Sequence, residues 1–407
     1  MAVRKLSDPL AIWILKTDYL KMELEMKIID STPQKDGFRM PAEYEPHEAT
    51  IMIWPVRAGS WGKDPSKAQH SFKAIFAEIV KSEKLILLAD KEHIDDTKAC
   101  VCDLPNVEVL EIASNDSWAR DVAPTYVKDD LGNVRAVNWE FNAWGGQVDG
   151  LYADWSLDNK IPLNICQMRD TDMYDAAPFV LEGGSIHTDG EGTAIVTESC
   201  LLSKGRNPEL TREQIEEKLK QYLGISKVLW LPRGIYMDET NEHVDNVCAF
   251  VGRGQVVLAT TDNKDDPQYE LSRLDMEYLE GQTDAKGRKI TVYKLPIPDH
   301  PVLVTKSDVD SFEFEEGEDI REEGERLAAS YVNFYFTNDE VLIPAFGGDN
   351  AESDDRAAEI LQGICKTRKV VQIPARQILL GGGNIHCITQ QLPVRDPGTV
   401  KNMMRFE

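Results

Sequence analysis

Helical and extended periods alternate along the chain. From Ser66, apolar residues fall at Ala68, Phe72, Ile75, Phe76 and Ile79, one stripe of a 3.6-residue repeat that Ser66 is placed to cap. The run Lys84-Leu-Ile-Leu-Leu-Ala89 follows and reads as a buried strand. The unit recurs further on. Thr211 and Gln214 form a capping-box pair ahead of Ile215, Leu219, Tyr222 and Leu223, Gly224 stops the helix, and Val228-Leu-Trp-Leu231 is the next strand. A third helix is expected around Ser353 to Ile364, with a strand from Lys369 to Ile373. Upstream, Leu10 to Ile29 mixes apolar residues with Lys and Glu in a loosely helical pattern, which Ser31-Thr32-Pro33 breaks. An accessory helix and a reading begun upstream of the true start, at Met22 or Met26, are both open for this stretch. The pattern predicts an α/β protein, with an extension of uncertain role over residues 1–30 and one domain over 31–407.

A slower period lies over this alternation. Leu181-Glu-Gly-Gly-Ser-Ile-His187 aligns with Leu380-Gly-Gly-Gly-Asn-Ile-His386. Two more polar clusters, Asn115-Asp-Ser-Trp-Ala-Arg-Asp121 and Thr240-Asn-Glu-His-Val-Asp-Asn246, interrupt apolar segments in the same manner. Asp121, Glu182 and His243 are spaced by 61 and 61 residues, and from His243 to Cys387 is 144, two steps of 72. Modules of roughly 60–70 residues, about five in all, would each deliver a loop to a shared centre; chance recurrence of common polar residues is the other reading.

Composition narrows the partners. Of 407 residues, 42% are apolar and 28% charged, so a sizeable core forms and wholesale disorder is excluded. Asp+Glu at 70 against Lys+Arg at 45 gives a net charge of −25, which repels phosphate backbones and anionic lipid and attracts cations. Nucleic-acid and membrane partners are therefore not expected. No apolar run approaches the roughly 18 residues of a membrane span, and Leu10 to Leu15 is too short for a signal-peptide core, so a cytoplasmic location is expected. Seven cysteines, at 100, 102, 166, 200, 248, 365 and 387, include no CxxC pair and read as reduced thiols.

Gly381-Gly-Gly-Asn-Ile-His-Cys387 is the most unusual stretch. Its glycines, Gly382 and Gly383 among them, let backbone approach a ligand closely, and a thiol just after such a loop is a candidate nucleophile. Cys166 and Cys248 read instead as small buried hydrophobes. Were the segment extended, His386 and Cys387 would point to opposite faces, which makes His386, like His187, structural. His243-Val-Asp245 is the better source of a base, since residues two apart on an extended segment share a face. A metal reading lacks third and fourth ligands at standard spacing. Asp121 and Glu182 complete a set of carboxylates that would be costly to bury beside a thiol unless the ligand were a cation, and a planar guanidinium fits best. The acidic run Glu313 to Glu325 reads as a solvated loop.

These clusters resemble agmatine deiminase (agmatine iminohydrolase), of the guanidino-group modifying enzymes. So do Gly37-Phe-Arg-Met-Pro-Ala-Glu43, Asn142-Ala-Trp-Gly-Gly146, Ser199-Cys-Leu-Leu-Ser-Lys-Gly-Arg-Asn-Pro208 and Glu239-Thr-Asn-Glu-His-Val-Asp245, and the likeness runs from about Ser31 onward. The resemblance implies a five-bladed pseudosymmetric α/β propeller of ββαβ modules, usually in a homo-oligomer, dimeric or dimer-based. It implies hydrolysis of agmatine to N-carbamoylputrescine and ammonia, in polyamine synthesis or agmatine catabolism, without metal or organic cofactor. By the same resemblance Cys387 is the nucleophile that forms an amidino-cysteine, His243 the general acid and base with Glu182 beside it, Asp121 and Asp245 the grip on the guanidinium, and Trp118 its flank. Glu242, just before His243, is a local variation. Rival readings are another guanidine deiminase acting on arginine or peptidylarginine, an amidinotransferase, and a non-catalytic polyamine-binding protein.

Overall fold

The computed structural model describes residues 26–395 apart from 317 and 319. Most of the stretch expected to be loosely helical lies outside these residues. Its last two, Ile28–Ile29, form a strand rather than helix, pairing in parallel with Met173–Val180, as suits β-branched residues at a sheet edge.

Among the described residues the strands make five separate open sheets built on one plan. Each has an antiparallel pair, then a helix that crosses over to a parallel third strand. Thr125–Lys128 and Val134–Glu140 lead through Ile161–Met168 to Met173–Val180. His187–Thr188 and Thr193–Thr197 lead through Arg212–Leu223 to Lys227–Leu231. Cys248–Gly252 and Gln255–Thr260 lead through Gln268–Leu279 to Thr291–Pro296, and Tyr335–Phe336 and Glu340–Ala345 lead through Ala351–Ile364 to Lys369–Pro374. The fifth sheet joins the two ends of the domain. His47–Ile53 leads through Ser66–Ile79 to Lys84–Ala89, and its antiparallel partner is Gln390–Pro393. Crossover helices are required because parallel neighbours cannot be joined by a tight turn.

The apolar stripe predicted on Ser66–Ile79 is the buried one. Ala68, Phe72, Ile75, Phe76 and Ile79 pack with Ile51, Ile53, Leu85 and Leu87 in one core cluster. Full burial of such side chains contributes about 1.5–3 kcal/mol each. The cap differs from expectation. Ser66 is the first helical residue, no side chain caps the helix, and Asp64 Oδ1 instead accepts the Ser66 N–H at 3.1 Å. At Thr211 the reciprocal capping box forms with Gln214, and Gly224 closes that helix at φ +69°, in the left-handed region. No helix among the described residues is long and apolar enough to cross a membrane.

These two anchors predict different losses. In urea unfolding followed by circular dichroism, Thr211→Ala is expected to cost about 1 kcal/mol through the lost cap, whereas Phe72→Ala costs about 3–5 kcal/mol through the cavity it leaves. Equal losses would contradict the assignment of Phe72 to the core.

Candidate active site

The repeated plan has a chemical consequence: in every sheet the antiparallel strand is entered from a short turn that carries polar residues. Asp121 lies on the one-turn helix Ala119–Val122 ahead of Thr125–Lys128. Glu182 opens the 3-10 turn Gly183–Ser185 before His187–Thr188. His243 opens the turn Val244–Asn246 before Cys248–Gly252, Asn333 precedes Tyr335–Phe336, and Cys387 precedes Gln390–Pro393.

Gly184 gauges how closely the turns converge. A Cβ there would stand 2.6 Å from His243 Nδ1, 2.9 Å from Asp245 Oδ2 and 3.0 Å from Asp121 Oδ1, so a larger residue is excluded. Gly383 plays the same part on the sulfur side, where a Cβ would stand 2.6 Å from the Trp118 ring and 3.1 Å from Cys387 Sγ. Gly382, at φ +112°, turns the chain next to Glu239. Cys387 Sγ is 3.7 Å from Asp245 Oδ2 and 3.2 Å from Asn333 Nδ2. The His243 ring lies between two carboxylates, with Nδ1 4.0 Å from Asp121 and Nε2 3.9 Å from Glu182. Asp121, Glu182, His243, Asp245 and Cys387 are all buried.

Each charged group is held from behind. Asp121 accepts the Gly184 N–H at 2.7 Å and the Trp144 indole N–H at 2.8 Å. That indole is aimed by a consecutive left-handed pair, Ala143 (φ 54°) and Trp144 (φ 65°). Another such pair, Asn241 and Glu242, precedes His243. Glu242 is bound there by Arg233 and by the Gly234 N–H, which makes it a backbone anchor. Glu182 faces a fully buried guanidinium, Arg206 Nε, at 2.7 Å. Arg206 also donates to Trp144 O, to Thr240 O at 2.9 Å and to Asn241 Oδ1 at 2.7 Å, tying three segments together. Trp118 donates to Asp116 at 2.9 Å and its ring packs 4.9 Å from that of Trp61.

Ionisation follows from this arrangement. Burial, with the neighbouring Asp245 and Asp121 charges, pushes the Cys387 thiol well above its ordinary value. Burial chiefly, then repulsion from Asp245 and Glu182, raises Asp121 to about 6. Burial also works against the charged forms of Glu182 and Asp245. Arg206 and His243 together outweigh it at Glu182, and His386, His243 and Arg120 together outweigh it at Asp245, so both carboxyls are held below the usual range. At His243 burial is outweighed by Asp121 and its other acidic neighbours, so the imidazolium is favoured.

Three local expectations change. His243-Val-Asp245 is not extended; the turn Val244–Asn246 brings both side chains to Gly184 nonetheless. His386 and Cys387 also sit in a turn, so they do not diverge: His386 Nδ1 and Cys387 Sγ meet the same oxygen, Asp245 Oδ2. The acidic run is not simply a solvated loop. The Glu318 side chain is packed against the distant cation Arg57, while Arg321, within the run, pairs with Glu239 and Glu325 and donates to Leu380 O at 3.2 Å. It borders a cavity that Asp116, Trp118, Glu239, Phe314, Arg321 and Gly381 help to line.

Sequence reasoning passed over Asn333, although the double step between His243 and Cys387 left room for one more turn. It gave no role to Glu43 or Arg206, both inside quoted motifs. Two trios lie close enough to hold an ion, Glu43 with His187 and His386, and Glu182 with Cys200 and His243. Both ring nitrogens of His386 already face carboxylates, and Arg206 already faces Glu182, so each trio has its charge partner within the protein.

A protein of Selenomonas ruminantium, itself provisionally assigned as an agmatine deiminase, is 56% identical over 370 residues, 90% of this chain and 99% of that protein. A solved structure of the agmatine deiminase of Enterococcus faecalis catalysing its reaction is 42% identical, covers 91% of this chain and all of that one, and superposes with a TM-score of 0.86. A cysteine-to-serine variant of the C. jejuni agmatine deiminase with substrate bound is 25% identical, covers 87% of this chain and 96% of that one, and gives 0.73. Residues 39–393 match one family throughout, and the chain belongs to it: the Porphyromonas-type peptidyl-arginine deiminases.

Proposed function

We propose that the protein hydrolyses agmatine to N-carbamoylputrescine and ammonia, with Cys387 as nucleophile. The observation that carries this reading is the meeting of one thiol, one imidazole and three carboxylates in a buried site, in a chain that shares 56% identity with the S. ruminantium relative. Asp121 and Asp245 grip the guanidinium N–H groups, Trp118 flanks the plane, Gly382 and Gly383 admit it to the sulfur, and Glu182 holds the imidazolium of His243.

Charge sets the order of events. A thiol raised by burial and acidic neighbours is a poor nucleophile until a cation arrives, so Cys387 gives up its proton to solvent, where the released ammonia later takes one up, as the guanidinium binds. Sγ then attacks the guanidinium carbon. His243 gives its proton to a terminal nitrogen, the C–N bond breaks, and ammonia leaves an amidino-cysteine. Water attacks next and passes a proton to His243; the C–S bond breaks, and the remaining hydroxyl proton returns to sulfur. Asn333 Nδ2, 3.2 Å from Sγ, steadies the thiolate at both ends of the cycle.

The family's name points to peptidyl-arginine; the cavity beside Trp118 bears on free arginine against agmatine. Its arginines are already paired, Arg57 with Glu318 and Arg321 with Glu239, so the carboxylate of free arginine meets no unpaired cation there, whereas agmatine has no carboxylate that needs one. The five ββαβ sheets fit five blades of a propeller, with the site where their entry turns meet. A dimer-based homo-oligomer, a cytoplasmic location and a place in putrescine formation belong to the same reading; cysteines without disulfide partners among the described residues support the location.

Three outcomes are expected. Mass spectrometry after incubation with agmatine finds an amidino increment on the Cys387 peptide, and Cys387→Ala abolishes both adduct and turnover; turnover surviving in that variant refutes the nucleophile. His243→Gln lowers kcat by about 10²–10⁴-fold. Asp121 grips a cation only as a carboxylate, so below pH about 6 kcat/KM for agmatine falls more steeply than proton loss from the thiol alone requires. A profile flat down to pH 4.5, or a preference for arginine in a head-to-head assay, overturns this reading.

A further inference from the structure

Behind Cys387 runs a buried row of alternating charge. Arg120 Nη2 lies 3.3 Å from Glu43 Oε2, the same oxygen lies 2.6 Å from His386 Nε2, and His386 Nδ1 lies 2.8 Å from Asp245 Oδ2. None of the four is more than a few per cent exposed. Both ring nitrogens of His386 thus face carboxylate oxygens, which only accept, so both nitrogens donate and the ring is an imidazolium. Its neighbour His187, stacked at 5.9 Å, accepts the Phe250 N–H through Nδ1 and is neutral. The charged groups facing His386 are therefore Glu43 and Asp245, which favour its proton, and Arg120, which opposes it.

The two oxygens of Asp245 are used unequally. Oδ2 takes the His386 proton and lies 3.7 Å from Cys387 Sγ, while Oδ1 is buried and makes no hydrogen bond to the protein. A buried carboxylate oxygen without a donor is costly unless a ligand supplies one. We propose that His386 is a positioning residue: an imidazolium clamped between Glu43 and Asp245 that fixes Asp245 by one oxygen, keeps it anionic, and so presents the other oxygen to the guanidinium. This rests on the reading of Asp245 as a guanidinium ligand. It also explains how an aspartate can remain charged beside a thiol: the positive ring stands between that charge and the next acid in the row. Burial disfavours the imidazolium and the two carboxylates more than restore it, in keeping with a ring that stays protonated.

The test compares pH profiles of the wild type, His386→Gln and Glu43→Gln on agmatine. In His386→Gln the held charge on Asp245 is lost. Its kcat/KM is expected to fall about 10–100-fold, mostly through KM. Its acidic limb steepens below pH 6, because loss of the opposing charge raises the Asp245 carboxyl by about one unit or more, so that it protonates closer to Asp121. In Glu43→Gln, His386 keeps one carboxylate and still faces Arg120, so activity is lost on the alkaline side at a lower pH than in the wild type. A merely structural role lowers the active fraction and leaves both limbs in place, and coincident profiles overturn the proposal. If His386→Gln does not fold, the alkaline limb of Glu43→Gln decides alone. Absence of wild-type turnover on agmatine refutes the functional reading itself, and this inference with it.

Discussion

Acids buried around a single sulfur set the terms for everything else in this molecule. Asp121, Glu182, Asp245 and Glu43 are withdrawn from water within reach of one another or of Cys387. Two like charges 4 Å apart repel by about 4 kcal/mol at an effective dielectric of about 20, before desolvation is added. The fold answers with cations that are just as deeply buried: Arg206 on Glu182, Arg120 on Glu43, and the rings of His386 and His243 among the carboxylates. Asp121 has a cation only at the 4.0 Å of His243, and it is the acid whose pKa rises. The site is thus short of positive charge at one place, beside the thiol, and a cationic ligand supplies what is missing.

Repetition is what brings these groups together. Each ββαβ sheet is entered by a turn, and five such turns can meet without any long loop reaching across the domain. Glycines then allow contact distances that a Cβ would forbid, at Gly184 between imidazole and carboxylates and at Gly383 between indole and sulfur. Left-handed pairs at Ala143-Trp144 and Asn241-Glu242 carry strain of the kind that collects at functional sites, and the hydrogen bonds of Arg206 to Thr240 and Asn241 hold one of them.

Much of this was legible in the amino-acid pattern, and the exceptions have physical causes. The stripe from Ala68 to Ile79, the Thr211–Gln214 cap and the strand Lys84–Ala89 are local facts, and local periodicity carries them. The equal steps from Asp121 to Glu182 to His243 reflect modules of equal length. The next module is lengthened by the Lys306–Ser311 helix and the acidic run, so its turn arrives at Asn333, off the 72-residue step, inside the apolar run Tyr331-Val-Asn-Phe-Tyr-Phe336 that reads as core. Pairing across the chain was invisible for another reason. Nothing near Glu318 announces Arg57, and nothing near Glu43 announces His386, since side-chain partners hundreds of residues apart leave no period in the chain.

The strand Gln390–Pro393 completes the sheet that His47–Ile53 begins, and Cys387 sits at its threshold. On the ribosome, the edge of His47–Ile53, apolar from Ile51 onward, waits without its hydrogen-bonding neighbour until nearly the whole domain has emerged. Such an edge is open to mispairing for the full duration of synthesis. Cys387 lies just ahead of that last strand, so a chain cut short before it keeps the exposed edge and lacks the buried thiol.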